Sequence, residues 1–351
     1  MDGSGAVRSM QEWIAQTAAG RDLDVHEAEA MMAGIMDGQA TPAQIGALLI
    51  ALRMKGETEQ ELLGCARAMR ARAKPVKTNI SRLVDTCGTG GDGAHTVNIS
   101  TAAAFVLAGC GPTVAKHGNR SVSSRSGSAD VLEELGVNLD LTPDDLSLAL
   151  QEIGIAFLFA PMLHPAMAHA VGPRRDLGVR TLFNLLGPLT NPAGATHQLV
   201  GVYDPDRLEQ LAGVMGALGV RRALVVHGEP GLDEVSICGP TQVAEWYEGR
   251  VQRYTIEPQD YGIKSVPLDA LAGGDPAANA AHLRRLLAGE PGAYREAVLL
   301  NAAVALVAAE EVDEIGEGLQ RARQSIDEGA AQVRLDALIE FGRGRGERAP
   351  A

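Results

Sequence analysis

The chain has 351 residues, 46% hydrophobic and 21% charged, the balance of a soluble globular protein with room for two domains. A formal net charge of −13 argues against the basic surface that a nucleic-acid or membrane-surface protein needs. The apolar runs IGALLIAL (45–52) and AVLLNAAVALVAA (297–309) are too short to cross a bilayer, and the opening MDGSGAVRSMQEW has no secretory pattern. Cys65, Cys87, Cys110 and Cys238 stand singly, without disulfide or metal-ligand spacing, as reduced thiols of a cytoplasmic protein do.

Residues 10–73 read as helices throughout, with Thr41 before Pro42 and Thr58 as helix starts. Pro75 and the polar VKTNIS form a link to a different texture. RLVDT (82–86) predicts a short strand running into a glycine loop, TAAAFVLAG (101–109) a helix, and TVAKHG (113–118) a second strand. SADVLEELG (128–136) predicts a helix ended by Gly136, and IAFLFA (155–160) a buried strand. Further on come a strand at 197–203, a helix at 205–219, a strand at 222–228 and more strands to about 256. Helical periodicity returns over 276–288 and 293–329, and the tail GRGRGERAPA predicts a frayed end. Strands alternating with helices point to an α/β domain with a largely parallel sheet.

DTCGTGGDGAHTVNIST (85–101) follows a strand and enters a helix, the arrangement in which backbone N–H groups and a helix N-terminus face an anion. Its glycine spacing fits neither a Walker loop nor a dinucleotide fingerprint, and a plain turn is an equal reading of the loop alone. KHGNRSVSSRSGSAD (116–130) adds one lysine, arginines and serines of a kind that hydrogen-bond phosphate, or else a solvated loop before Ser128. Lysines are few in this arginine-biased chain, which sets Lys116 apart. A polyphosphate brings Mg²⁺, and Asp233 and Glu234 in HGEPGLDEVS, with Asp92 in the glycine loop, are the acids available to it; solvated surface carboxylates are the alternative. In VGPRRDLGVRTLFNLLGPLTNP (171–192) the pair Arg174 and Arg175 suits a carboxylate-bearing acceptor, or an ion pair with Asp176. GPLTNP is a turn signal. His164, between prolines, is a pocket residue or a structural one.

In this order and spacing, these segments resemble the anthranilate phosphoribosyltransferase family, from TPAQIGALLIALRMKGET through DTCGTGGDG, NIST, KHGNRSVSSRSGSADVLEELG, FAPMLHPAM and RRDLGVRTLFNLLGPLTNP to LDEVS and LLNAAVAL. The resemblance implies the nucleoside phosphorylase/phosphoribosyltransferase fold. A small all-helical domain would span 1–75 with about 170–192, and an α/β domain with a central, mostly parallel sheet would span 76–169 and 193–345. It further implies a cytoplasmic homodimer joined through the helical domains. The implied reaction passes the 5-phosphoribosyl group of 5-phosphoribosyl 1-diphosphate to anthranilate with Mg²⁺, two ions being expected.

Carried over by motif, the donor meets Gly88, Gly91, Asp92, Thr96, Asn98, Ile99, Ser100, Thr101, Lys116, His117, Gly118, Asn119, Arg120, Ser121, Val122, Ser123, Ser124 and Ser128. Anthranilate meets Gly88, Asn119 and Arg174, and the metal ligands are Ser100, Asp233 and Glu234. Lys116 and Arg174 are the expected catalytic side chains, and His117 or His164 the candidate proton acceptor. Two departures from the family pattern stand out: HAVGPRR before the arginine pair, and His95 in the glycine loop. One rival is a pyrimidine nucleoside phosphorylase, which needs base-reading residues other than KHGNR and RRDLG. The other is a nucleic-acid-binding relative, which needs a basic surface.

Overall fold

Four times before residue 62 a Ser, Asp or Thr stands three places ahead of a Glu or Gln, and each pair opens a helix through a reciprocal capping box. Ser9 with Glu12 starts α1 (Met10–Ala18), Asp24 with Glu27 starts α2 (Val25–Met36), Thr41 with Gln44 starts α3 (Pro42–Lys55), and Thr58 with Glu61 starts α4 (Glu59–Arg72). The computed structural model describes residues 8–121 and 125–345. It divides into two units, one made of the described residues up to Ala73 with His164–Thr190, the other of Lys74–Leu163 with the described residues from Asn191 on.

In the helical unit, Met31, Met32, Ile35, Ile45, Leu48, Leu49, Leu52 and Leu62 are all fully buried. Beneath them lies one polar knot. The Glu61 carboxylate, itself out of contact with solvent, accepts the Leu23 and Thr58 N–H groups and pairs with Lys55 Nζ at 3.0 Å.

The second unit alternates as β1 (Leu83–Gly88), α5 (Ile99–Gly109), β2 (Thr113–Gly118), α6 (Ser128–Glu134), α7 (Pro143–Glu152), β3 (Ile155–Phe159) and the short α8 (Ala160–Leu163). The chain then supplies α9 (Ala168–Leu177) and α10 (Leu182–Leu186) to the helical unit. It returns as β4 (His197–Gly201), α11 (Leu208–Ala217), β5 (Arg222–Gly228), β6 (Thr241–Tyr247) and β7 (Arg250–Ile256). Four helices close it: α12 (Pro276–Leu287), α13 (Ala293–Ala308), α14 (Ile315–Asp327) and α15 (Ala330–Gly342).

The strands form one sheet in the order β3-β2-β1-β4-β5-β6-β7, parallel up to β5 and antiparallel beyond it. Strands buried on both faces read as unbroken apolar runs, as β3 does. One face packs Val84, Val114, Phe157, Leu199 and Leu224 against α5 and α13. The other packs Leu83, Ala115, Ala156 and Leu158 against Leu146, Ala149 and Leu150 of α7.

Local chemistry accounts for the departures from the sequence reading. The expected helix at 205–219 begins as a 3₁₀ turn, Pro205–Arg207, whose start is held by the Asp204 side chain accepting the Asp206 N–H. The helical stretch 293–329 breaks after α13, where Glu310 adopts a left-handed φ of 55°. Helices α7 and α15 are additions to that reading, although Thr142, Pro143 and Asp145 make a full start signal for α7.

Glu61→Ala would leave the half-enclosed Lys55 ammonium with Asp22 alone for a counter-charge. We expect a loss of about 3 kcal/mol in urea unfolding; a change under about 0.5 kcal/mol would show that the knot contributes nothing net.

Candidate active site

Four neighbouring parallel strands, β2, β1, β4 and β5, end in glycine: Gly118, Gly88, Gly201 and Gly228. Two of these show why a side chain is excluded there. A Cβ on Gly201 would lie 1.5 Å from the Asp233 carbonyl oxygen and 2.2 Å from its carbonyl carbon, and one on Gly88 would lie 2.5 Å from Asp233 Oδ2. The turn after β5 therefore folds back over the ends of β1 and β4. These are the strands between which the chain order reverses, the usual ligand position of an open α/β sheet.

That turn is docked on both parts of the glycine segment. Asp233 Oδ2 accepts the Gly90 N–H at 2.7 Å, and Glu234 Oε1 accepts the Ser100 N–H at 3.0 Å. Burial, reinforced by Asp92 and Glu234, pushes the Asp233 carboxyl well above the usual carboxylate range. Burial also pushes Glu234 up to about 7, against the pull of Lys116. Buried carboxylates that repel one another suit a hard divalent cation. Among the described residues no three His, Cys, Asp or Glu side chains are grouped to hold a metal. A cation here would draw its other ligands from water or a bound phosphate, which is the habit of Mg²⁺ and the reason this donor set fits it.

The glycine segment is held from several sides. Asp92 Oδ1 accepts the Ala94 N–H at 3.1 Å, closing a turn over 92–94 just after Gly91. Thr96 bridges to Ala272, and the carbonyl of His95, at a left-handed φ of 50°, accepts the Gly273 N–H at 2.8 Å. Histidine is one of the residues that tolerate this region, so the departure at position 95 is accommodated by the backbone. Asn98 Oδ1 accepts from Asn279 Nδ2 at 2.9 Å, its Nδ2 donates to the Ser126 carbonyl, and its own carbonyl accepts the Tyr294 hydroxyl. Ile99 and Thr101 are buried at the start of α5, and the Ser100 carbonyl accepts the Thr86 hydroxyl.

Lys116 lies buried on β2, its Nζ donating to the Thr86 carbonyl at 2.5 Å. Burial lowers its pKa, and Asp85 is foremost among the groups that oppose this. Beyond His117 and Gly118, the Asn119 carbonyl accepts from Ser128 Oγ and the Ala129 N–H, while Asp130 accepts the Ser121 and Gly127 N–H groups. The segment is thus tied to the start of α6. The Arg120 guanidinium is directed at Asp130 and Glu133, at 3.0 and 2.7 Å, and lies 5.5 Å over the Phe159 ring. Val122, Ser123 and Ser124, expected to touch the donor, lie outside the described residues.

In the helical unit, α9 separates the two arginines. Arg175 is exposed and sits 3.7 Å from Asp176, so the ion-pair reading belongs to it. Arg174 is half-buried, its guanidinium stacked 5.0 Å over the Phe183 ring and without a hydrogen bond or ion pair to any other described residue. Burial lowers its pKa, though a guanidinium stays charged. Burial pushes His164 down to about 4, against a hydrogen bond with the Thr190 backbone, so its imidazole is neutral near pH 7.

Several residues that build the site escape sequence reasoning. Asn279 and Tyr294, which hold Asn98, occur in ordinary helical periodicity and carry no motif. Gly201 is marked only by closing a strand.

Comparison with known proteins places these features in a family. Residues 80–332 match the glycosyl transferase family a/b domain and residues 11–73 the helical bundle domain of the same family. The chain is 56% identical to anthranilate phosphoribosyltransferase of Moorella thermoacetica, over 93% of this chain and 97% of that protein. It resembles the crystal structure of anthranilate phosphoribosyltransferase from Thermus thermophilus, with a TM-score of 0.90 and 44% identity over 95% of this chain and 99% of that one. The Saccharomyces cerevisiae enzyme, solved in complex with PRPP and Mg, superposes with a TM-score of 0.86 at 27% identity, over 95% of this chain and 97% of that one.

Gly201→Ala must push the Asp233 main chain off the end of β4, and we expect it to destabilise the protein by about 1–3 kcal/mol in urea unfolding. Gly316→Ala, in helix α14 where an added Cβ meets nothing within 4 Å, should instead gain up to about 1 kcal/mol. Equal behaviour of the two would mean that the turn has room to yield.

Proposed function

This chain belongs to the anthranilate phosphoribosyltransferase family, and we propose that its glycine segment, Lys116 wall and acidic turn together form the donor site for that family's reaction. The enzyme transfers the 5-phosphoribosyl group of 5-phosphoribosyl 1-diphosphate to the amine of anthranilate. It yields N-(5-phosphoribosyl)anthranilate and pyrophosphate, the second step of tryptophan biosynthesis from chorismate. The observation that carries the site assignment is the double docking of the acidic turn, Asp233 on Gly90 and Glu234 on Ser100. It sets paired carboxylates beside the loop amides and the start of a helix.

In the reaction the bond from the anomeric carbon to the diphosphate oxygen breaks, the carbon–nitrogen bond forms, and the amine loses a proton. Negative charge gathers on the leaving pyrophosphate, and positive charge on the sugar. Lys116 and those amides of residues 88–101 not already bonded within the chain stabilise the first, and Asp233 and Glu234 would hold a cation that secures the same end of the donor. Mg²⁺, when bound, neutralises diphosphate charge; we assign Ser100 to an ion beside the diphosphate and Asp233 with Glu234 to a second. The contact set of the donor is taken to be Gly88, Gly91, Asp92, Thr96, Asn98–Thr101, Lys116–Ser124 and Ser128, as the motifs suggest. An arylamine is nucleophilic unaided, so the proton can leave to water after attack; His164, lowered to about 4 by burial, would be a weak base for it.

Arg174 is the acceptor's carboxylate contact in this reading. Its support is a half-buried guanidinium backed by Phe183 and left with no carboxylate of its own among the described residues. We further propose a cytoplasmic homodimer joined through the helical unit, supported by Met54, Val171 and Val179, apolar side chains of that unit that stand exposed. The four cysteines are free thiols, and among the described residues no helix is long and apolar enough to cross a membrane.

Arg174→Ala should raise the anthranilate KM about tenfold or more, the worth of a charge-assisted hydrogen bond, and leave the donor KM within about twofold. Loss of anthranilate fluorescence during turnover measures both constants. An equal rise in the two would remove Arg174 from the acceptor site.

A further inference from the structure

Pairing within the sheet is uneven at the end where the site lies. The register of β1 on β4 runs to Gly88↔Gly201, and that of β2 on β3 runs to Gly118↔Phe159. Between β1 and β2, in contrast, it is confined to Leu83↔Thr113 and Val84↔Val114. Past that point side chains take over the hydrogen bonding. Asp85 Oδ1 accepts the His117 N–H at 3.1 Å, and Asp85 Oδ2 accepts from Asn191 Nδ2 at 2.8 Å. The same Nδ2 donates to the Ala115 carbonyl at 2.9 Å, and Asn191 Oδ1 accepts the Ala193 N–H at 2.9 Å. Lys116 Nζ reaches back to the Thr86 carbonyl.

Asp85 and Asn191 are 0% and 3% exposed. A regular ladder would satisfy these strand backbones with neutral bonds. Burial disfavours a carboxylate sunk in the interior, and Lys116, Asn191 and the His117 amide offset only part of that here. This substitution of side chains for ladder occurs where β1 enters the glycine loop and β2 enters the Asn119–Ser121 segment, the two walls of the proposed donor site. Asn191 is also the first residue of the α/β unit after the chain's excursion through the helical one.

We propose that Asp85 and Asn191 form a wedge that sets the spacing of β1 and β2 at their carboxyl ends, and so act as positioning residues for the diphosphate donor. The proposal rests on the reading of those two walls as the donor site. Neither residue touches substrate: Asp85 acts through the His117 amide and the Lys116 ammonium, and Asn191 acts through Asp85. Among the described residues Arg174 shares no hydrogen bond or ion pair with Asp85 or Asn191, so the donor constant should respond and the acceptor constant should not.

The test compares Asp85→Asn, Asn191→Asp and the exchange variant carrying both, with Ser100→Ala as a reference for the donor site. Steady-state KM values for 5-phosphoribosyl 1-diphosphate and for anthranilate are read by anthranilate fluorescence, and urea unfolding is followed in parallel. Each single change should raise the donor KM about tenfold or more while the anthranilate KM stays within about twofold, because small misplacements of bound groups are costly. The exchange variant, which restores a donor and an acceptor between the two positions and keeps the charge but leaves the Ala115 carbonyl without its donor, should recover part of that loss. If Ser100→Ala raises the donor KM and the single variants do not, or both their constants rise together, the wedge is purely structural and the donor site stands. If Ser100→Ala also leaves the donor KM unchanged, the donor site itself is misassigned and the wedge proposal falls with it. Should a single variant fail to fold, Asn191→Ser, which keeps one donor, takes its place under the same criteria.

Discussion

The approach of Asp233 to the backbone of Gly88 and Gly201 is the contact on which the rest of the site depends. It occupies the space where two Cβ atoms would be, and in doing so draws the turn after β5 across the ends of β1 and β4. From that seat Asp233 reaches the Gly90 amide, and Glu234 reaches the start of α5. Buried negative charge then collects beside one buried ammonium, and the excess acid is what a divalent cation would compensate. Gly88 and Gly201 therefore serve packing, and the Gly90 and Ser100 amides are engaged by the acidic turn as a result.

The sheet carries this arrangement because its parallel half is rigid on both faces. Helices α5 and α13 cover one side and α7 the other. Loops at the carboxyl ends are thus free to differ, while the strands beneath them are not. Side-chain hydrogen bonds between β1 and β2 interrupt that uniformity at the carboxyl ends of the two strands. This place lies between the two walls of the site.

What the sequence makes legible is local. The strands at 113–118 and 222–228 are read to the residue because each carries a short aliphatic stretch and is closed by glycine. The four capping boxes likewise make the first helices plain. Of the proposed site, the contiguous motifs are what the sequence picks out: the glycine loop, the Lys116 segment, and the acidic pair. Asp85, Asn191, Asn279, Tyr294 and Gly201 are not, because what they do is decided by chain folded against them from far away in sequence. Arg120 shows the opposite limit. Its motif suggests phosphate, and its bonds to Asp130 and Glu133, ten and thirteen residues on, are a second set of partners that the motif does not announce. A choice left open by the sequence, Arg174 or Arg175, turns on exposure and on the ring of Phe183, which only the folded chain supplies.

The central claim is that the acidic turn and the glycine segment jointly hold the metal-bound donor. Anomalous diffraction from crystals soaked with Mn²⁺ and 5-phosphoribosyl 1-diphosphate tests it most directly. The account predicts manganese peaks beside Ser100 and beside Asp233 with Glu234, with the diphosphate lying along residues 88–101. Manganese and diphosphate bound together elsewhere on the chain, with the acidic turn bare, would contradict it.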